Sequence, residues 1–151
     1  MERVMGYMSR GPAWLLPALG SAFFAGLTAV LGKAVVAELD PDLATLLRTV
    51  VIVLLTAGIV TFRGAWTRPT ALSPRGALFI VLSGVATGLS WLFYYRALRA
   101  GPASRVAPVD KLSLAFAMLL AAAFLGETIS WRAALGGALI VAGAVLIATG
   151  A

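Results

Sequence analysis

Apolar residues run on without interruption through most of this chain instead of alternating with polar ones. Residues 11–32 carry no charge, nor do residues 76–95 or 133–151. A helix needs about 20 mostly apolar residues to cross the hydrocarbon of a bilayer. Five such helices are predicted, over residues 13–36, 43–62, 75–98, 103–125 and 131–149. The fold class is therefore all-α, a polytopic transmembrane bundle forming one domain over residues 1–151. A closed barrel is excluded, because its strands alternate apolar and polar residues. Prolines punctuate the segments at Asp40-Pro41-Asp42, Arg68-Pro69, Ser73-Pro74 and Gly101-Pro102. At or just before a helix start the missing proline N–H costs nothing. Trp14, Trp66 and Trp131 fall near predicted ends, where indole rings anchor at the interface. Residues 11–32 exceed the h-region of a signal peptide, about 7–15 residues, so the first segment is expected to be a retained helix.

Two segments are short. The second has only residues 49–62 between Arg48 and Arg63, and the fourth only residues 112–126 between Lys111 and Glu127. Each spans only by taking charge into the membrane: Arg48 in one case, Asp110 and Lys111 in the other. Ionisable groups at depth are expensive and face a cavity or each other. The competing account is snorkelling, in which a long stem carries its charge to the interface. Asp110 has a short stem and fits that account least. Pro108 frees a backbone carbonyl close by, and a broken helix beside a charge is a feature of transporter sites.

Composition narrows the chemistry. Hydrophobic residues make up 61% of the chain and charged ones 12%, about half the charge of a soluble domain. The excess apolar surface must face lipid. There is no Cys and no His, which removes disulfides, thiolate chemistry and the commonest proton shuttle. No phosphate loop, metal motif or nucleophile–base pair occurs, so neither an enzyme nor a cofactor is expected. The net charge of +6 is read as loop charge at anionic lipid headgroups, not as a nucleic-acid surface. Glu38, Asp40 and Asp42 could hold a metal, but a solvated loop is the plainer reading. Glu127 is read as a favourable charge at the start of the last helix.

Neighbours three and four apart share a helix face. The first helix then presents Ala22, Gly26, Ala29 and Lys33. The second presents Thr45, Arg48, Thr49, Ile52 and Thr56. The third presents Ser83, Thr87, Ser90, Trp91 and Tyr94. The fourth presents Val106, Asp110, Ser113 and Ala117, with Lys111 beside them. Polar stripes in lipid turn inward, so four helices could line a polar path. Taken singly, the Ser and Thr residues have a simpler reading: each bonds its own backbone. Gly84 and Gly88, and Gly136, Gly137 and Gly143 in the fifth helix, read as sites of close helix packing or assembly.

Five crossings put the termini on opposite sides. Arg3, Arg10, Arg63, Arg68, Arg75 and Arg132 fall on the N-terminal side, and Lys33, Arg48, Arg96, Arg99 and Arg105 on the other. Orientation follows the difference between the sides, which here is almost nil and suits dual insertion. If Lys33 and Arg48 are buried, the bias is towards an internal N-terminus.

The ordered set Tyr95-x-Ala97-Leu98, Gly101-Pro102-Ala103-Ser104, Pro108, Leu125-Gly126-Glu127 and Gly136 to Gly143, with Phe23, Phe24 and Gly26 in the first helix and Arg48 opening the second, resembles the EamA-type repeat of the drug/metabolite transporter superfamily. The likeness covers nearly the whole chain. It implies ten helices made of two inverted five-helix repeats, of which this chain resembles one. The expected partner is a second, inverted copy or a paired paralogue in an antiparallel dimer. The resemblance also implies a secondary transporter in the plasma (inner) membrane, with the path lined by helices 1–4 and helix 5 at the periphery or in the assembly interface. Arg48, Lys33, Thr87, Ser90, Trp91, Tyr94, Asp110, Lys111 and Ser113 are the candidate path residues for a small metabolite or amphipathic compound. The alternative function is a non-transporting partner subunit or a lipid-binding scaffold whose charges are structural.

Overall fold

The computed structural model describes residues 13–66 and 72–150. The Arg68-Pro69 turn and the N-terminal charges Glu2, Arg3 and Arg10 lie outside these residues. The described chain is entirely helical: α1 (Leu15–Glu38), α2 (Pro41–Phe62), α3 (Pro74–Ala100), α4 (Ala103–Asp110), α5 (Ser113–Leu125) and α6 (Trp131–Thr149). Four expected crossings appear within two residues of their predicted ends. The fourth differs, because it is two helices. At 1.5 Å per residue, α4 is about 12 Å long and α5 about 20 Å. Neither spans alone, but together they form a 23-residue crossing. Five segments are thus long and apolar enough to cross a bilayer.

Local chemistry fixes the ends. Asp40 caps α2 by accepting from the N–H groups of Asp42 and Leu43, and Ser73 caps α3 by accepting from Gly76 N–H. Pro41 and Pro74 follow at the first helical position, where a missing donor is no loss. Ser130 caps α6 through Ala133 N–H. Glu127 lies in the preceding connection, where its N–H donates to Ala121 O. Gly126 before it takes φ +67°, the left-handed turn that ends α5 and that a side chain would strain.

The helices gather at one end. Val36 of α1, Ala44 of α2 and Tyr95 and Leu98 of α3 form the buried cluster, with Trp91, Tyr94, Ala103 and Val106 packed against it. This is the membrane side at which α1 and α3 end and α2 and α4 begin. Polar ties secure it. Arg96 grips Asp42 with two hydrogen bonds, at 3.0 and 2.7 Å, and Arg99 donates to Leu39 O. Asp40 and Asp42 of the acidic loop thus serve as a cap and an ion-pair partner. Towards the other face the large apolar residues of all five crossings are exposed, as lipid contact requires.

Glycine allows the closest approach at this end. A methyl group added to Gly32 would lie 3.2 Å from Leu98 Cδ1 and 3.3 Å from the Tyr95 ring, whereas one on Gly26 would meet nothing within 4 Å. Gly32→Val is therefore expected to cost about 1–3 kcal/mol by overpacking. Gly26→Val should cost much less, and equal thermal melting of the two variants in detergent would contradict this packing.

Candidate functional site

The break in the fourth crossing starts from its sequence. Pro108 has no N–H to give Ser104, so α4 loses a bond within its own last turn. The chain then tightens. Lys111 and Leu112 donate to Pro108 O and Val109 O, three residues back instead of four, and Leu114 and Ala115 repeat the pattern to Lys111 O and Leu112 O. Two residues of tight turn separate α4 from α5. Asp110 ends α4 and Lys111 follows it, about 10 Å in from the start of the crossing. A carboxylate at a helix C-terminus opposes the helix dipole, and Lys111 Nζ answers it at 3.2 Å.

Around that turn lies a pocket of about 180 Å³ lined by Ala25, Ser90, Trp91, Tyr94, Asp110, Lys111 and Ser113. Six candidate path residues, drawn from two distant stretches of sequence, line this one pocket. Ala25 of α1 completes the wall and carries no chemical signal of its own in the sequence. Trp91 packs edge-on against Tyr94, with ring centroids 5.5 Å apart. Behind them, between α3, α4 and the end of α6, lies a wider apolar cavity of about 480 Å³ that includes Phe93, Val109 and Ala148, with Arg105 and Asp110 as its charged members.

Arg48 lies on the other side of Trp91. Its guanidinium carbon stands 3.5 Å from the centre of the Trp91 ring and 5.4 Å from that of Tyr95. Such stacking favours a cation, most strongly over indole. Arg48, Thr87, Trp91, Gly84 and Gly88 border a cleft of about 610 Å³ between α2 and α3. The single turn of helix from Trp91 to Tyr95 could have flagged Tyr95, which the face projection of α3 left out. Tyr95 is buried beneath Arg48 and against Gly32.

Lys33 has a different place. Its Nζ donates to Leu98 O at 2.6 Å and Gly101 O at 2.9 Å. These carbonyls end α3 and have no partner in their own helix, and a cation there also favours the dipole. Lys33 borders none of the pockets just described. The threonines bond their own backbones: Thr28 to Phe24 O, Thr45 to Pro41 O, Thr49 to Thr45 O and Thr87 to Ser83 O. Of the glycines read as packing sites, Gly137 is pressed against Met118 of α5, with 2.9 Å from an added methyl to Sδ. Gly84, Gly88, Gly136 and Gly143 have open space in the chain.

The fold and these pockets define a polytopic membrane protein with ionisable groups about 10 Å in from the starts of its second and fourth crossings. Residues 12–149 match the EamA-like transporter family, and the chain belongs to that family. It is 50% identical over 136 residues to a Sinorhizobium sp. protein named "Uncharacterized transporter in cobO 3'region". That match covers 90% of this chain and 96% of the relative, so the relative too has about the length of one five-helix unit. No solved structure matches.

Removing the Lys33 ammonium strips two carbonyls of a charged donor. Lys33→Met is expected to cost about 1.5–3 kcal/mol, read as a lowered melting temperature in detergent. An unchanged melting temperature would show that these bonds do not hold the end of α3.

Proposed function

We propose that this protein is a secondary transporter for a small metabolite or amphipathic compound in the plasma membrane. It works as an antiparallel pair of five-helix units, and the first four crossings of each line the path. One observation carries this reading. At the helix break, about 10 Å in from the start of the fourth crossing, Ser90, Trp91, Tyr94, Asp110, Lys111 and Ser113 surround a pocket. Interrupted helices at such depth are tolerated where they line a cavity, and transporters use them to meet substrate and coupling ion.

The shape of the bundle supports pairing. The chain is packed at one end, while Ser83 and Thr87 remain exposed along the α2–α3 cleft. An inverted second unit would bring its packed end opposite to this one, so that the path could close on either side. Gly84 and Gly88 on α3 and Gly136 and Gly143 on α6 have room for a neighbouring helix.

Asp110 is the carboxylate for coupling. Purified protein in liposomes, offered a panel of amino acids, amines and organic acids, should carry at least one solute down an imposed proton gradient. Asp110→Asn should lower that flux about tenfold or more, the scale of one lost charge-assisted contact. Unchanged flux would remove Asp110 from coupling. Absence of flux for every solute would favour a non-transporting subunit or lipid scaffold. Orientation is read independently by placing Cys at Ser9 or Gly150 in this Cys-free chain. Antiparallel pairing of identical chains predicts labelling of each site from both faces. Labelling from one face only would leave a paralogue as the inverted partner.

A further inference from the structure

Several charges of the described bundle are answered within the chain. Lys33 caps α3, Asp110 pairs with Lys111, and Asp42 pairs with Arg96. Arg48 has no carboxylate partner and makes no hydrogen bond to any described residue, and its Nε is buried without an acceptor. Arginine stays protonated and carries five donors. It lies seven residues into α2, about 10 Å below the start of that helix, where an unmatched charge is costly. The rings of Trp91 and Tyr95 answer part of the cation but accept none of its N–H bonds.

What remains open is the α2–α3 cleft. Its walls are Thr49, Ile52, Phe79, Ile80 and Ser83 beside Arg48 and Trp91, so it pairs one fixed cation with apolar surface. Its volume, about 610 Å³, is that of a small-molecule site. Within one copy, no described carboxylate pairs with Arg48. Asp42 and Asp110 are paired, Asp40 caps α2, Glu38 ends α1 and Glu127 lies in the connection before α6.

We propose that Arg48 is an anion-binding group, and that this cleft takes a small organic anion, a carboxylate or phosphate on a partly apolar body, through the guanidinium held on Trp91. Calling that anion the substrate rests on the transport reading above; the site itself does not.

The test uses Trp91 as its own reporter. Trp14, Trp66 and Trp131 are replaced by Phe, and the full chain is purified in a maltoside detergent that carries no phosphate. Benzoate, succinate, inorganic phosphate and phenyl phosphate are titrated against the neutral benzamide and the cationic benzylamine, with emission from Trp91 recorded. At least one anion should shift the emission saturably, while benzamide and benzylamine do not. Arg48→Gln should weaken that anion about tenfold or more. Arg48→Lys, which keeps the charge but loses the planar fork, should weaken it less, and a melting curve for each variant separates binding from misfolding. A flat response to all four anions, or equal binding by Arg48→Gln, overturns the site. So does a response to added phosphatidylglycerol with none to the soluble anions, which would make Arg48 a headgroup contact. Binding without flux in liposomes upholds the site and removes the transport reading. Flux of neutral or cationic solutes that Arg48→Gln leaves intact does the reverse.

Discussion

Hydrocarbon offers no partner to a polar group, so whatever polarity this chain carries into the bilayer must be answered by the chain itself or by something it binds. Much of the bundle follows from that one constraint. The last carbonyls of α3 would be bare at the membrane edge, and Lys33 reaches across from α1 to close them. In return Arg99 of α3 reaches the carbonyl of Leu39 beyond the end of α1. These crossed ties, with the Arg96–Asp42 pair, bind α1, α2 and α3 at one end, and the buried cluster of Val36, Ala44, Tyr95 and Leu98 forms there.

The same constraint shapes the site. At the break between α4 and α5 the backbone tightens to bonds three residues back, and its two charges pair with each other. Trp91 then separates two polar regions. On one side are Asp110 and Lys111 with Ser90, Tyr94 and Ser113; on the other is Arg48 with the α2–α3 cleft. A single indole ring thus forms part of the wall of the pocket and carries the guanidinium on its face. Movement of Trp91 would be felt on both sides, a property suited to a molecule that must pass a solute from one region to the next.

The sequence is read well where its signal is one-dimensional and less well where it is not. Apolar run length placed all five crossings, because the thickness of the bilayer sets the length of a helix that must cross it. Pro108 and the charges after it pointed to the neighbourhood of the break, but not to a second helix beginning at Ser113. Glu127 lies in the connection before the last helix, where the sequence puts it, but the cap of α6 at Ser130 went unread. Tyr95 fell outside the polar stripe of α3 because its ring is largely apolar and buried, although it lies one turn from Trp91.

Lys33 and Arg48 draw the line most clearly. Along the chain they look alike, each a single cation near one end of an apolar helix. The sequence alone required Arg48 to enter the membrane, since only residues 49–62 separate it from Arg63, whereas residues 11–32 can span without Lys33. Only the tertiary structure decided what each one meets, because the groups concerned lie far away in sequence. Lys33 finds the terminal carbonyls of α3, 65 and 68 residues on, and gives each a hydrogen bond. Arg48 finds the flat faces of Trp91 and Tyr95, which stabilise its charge but leave its donors free.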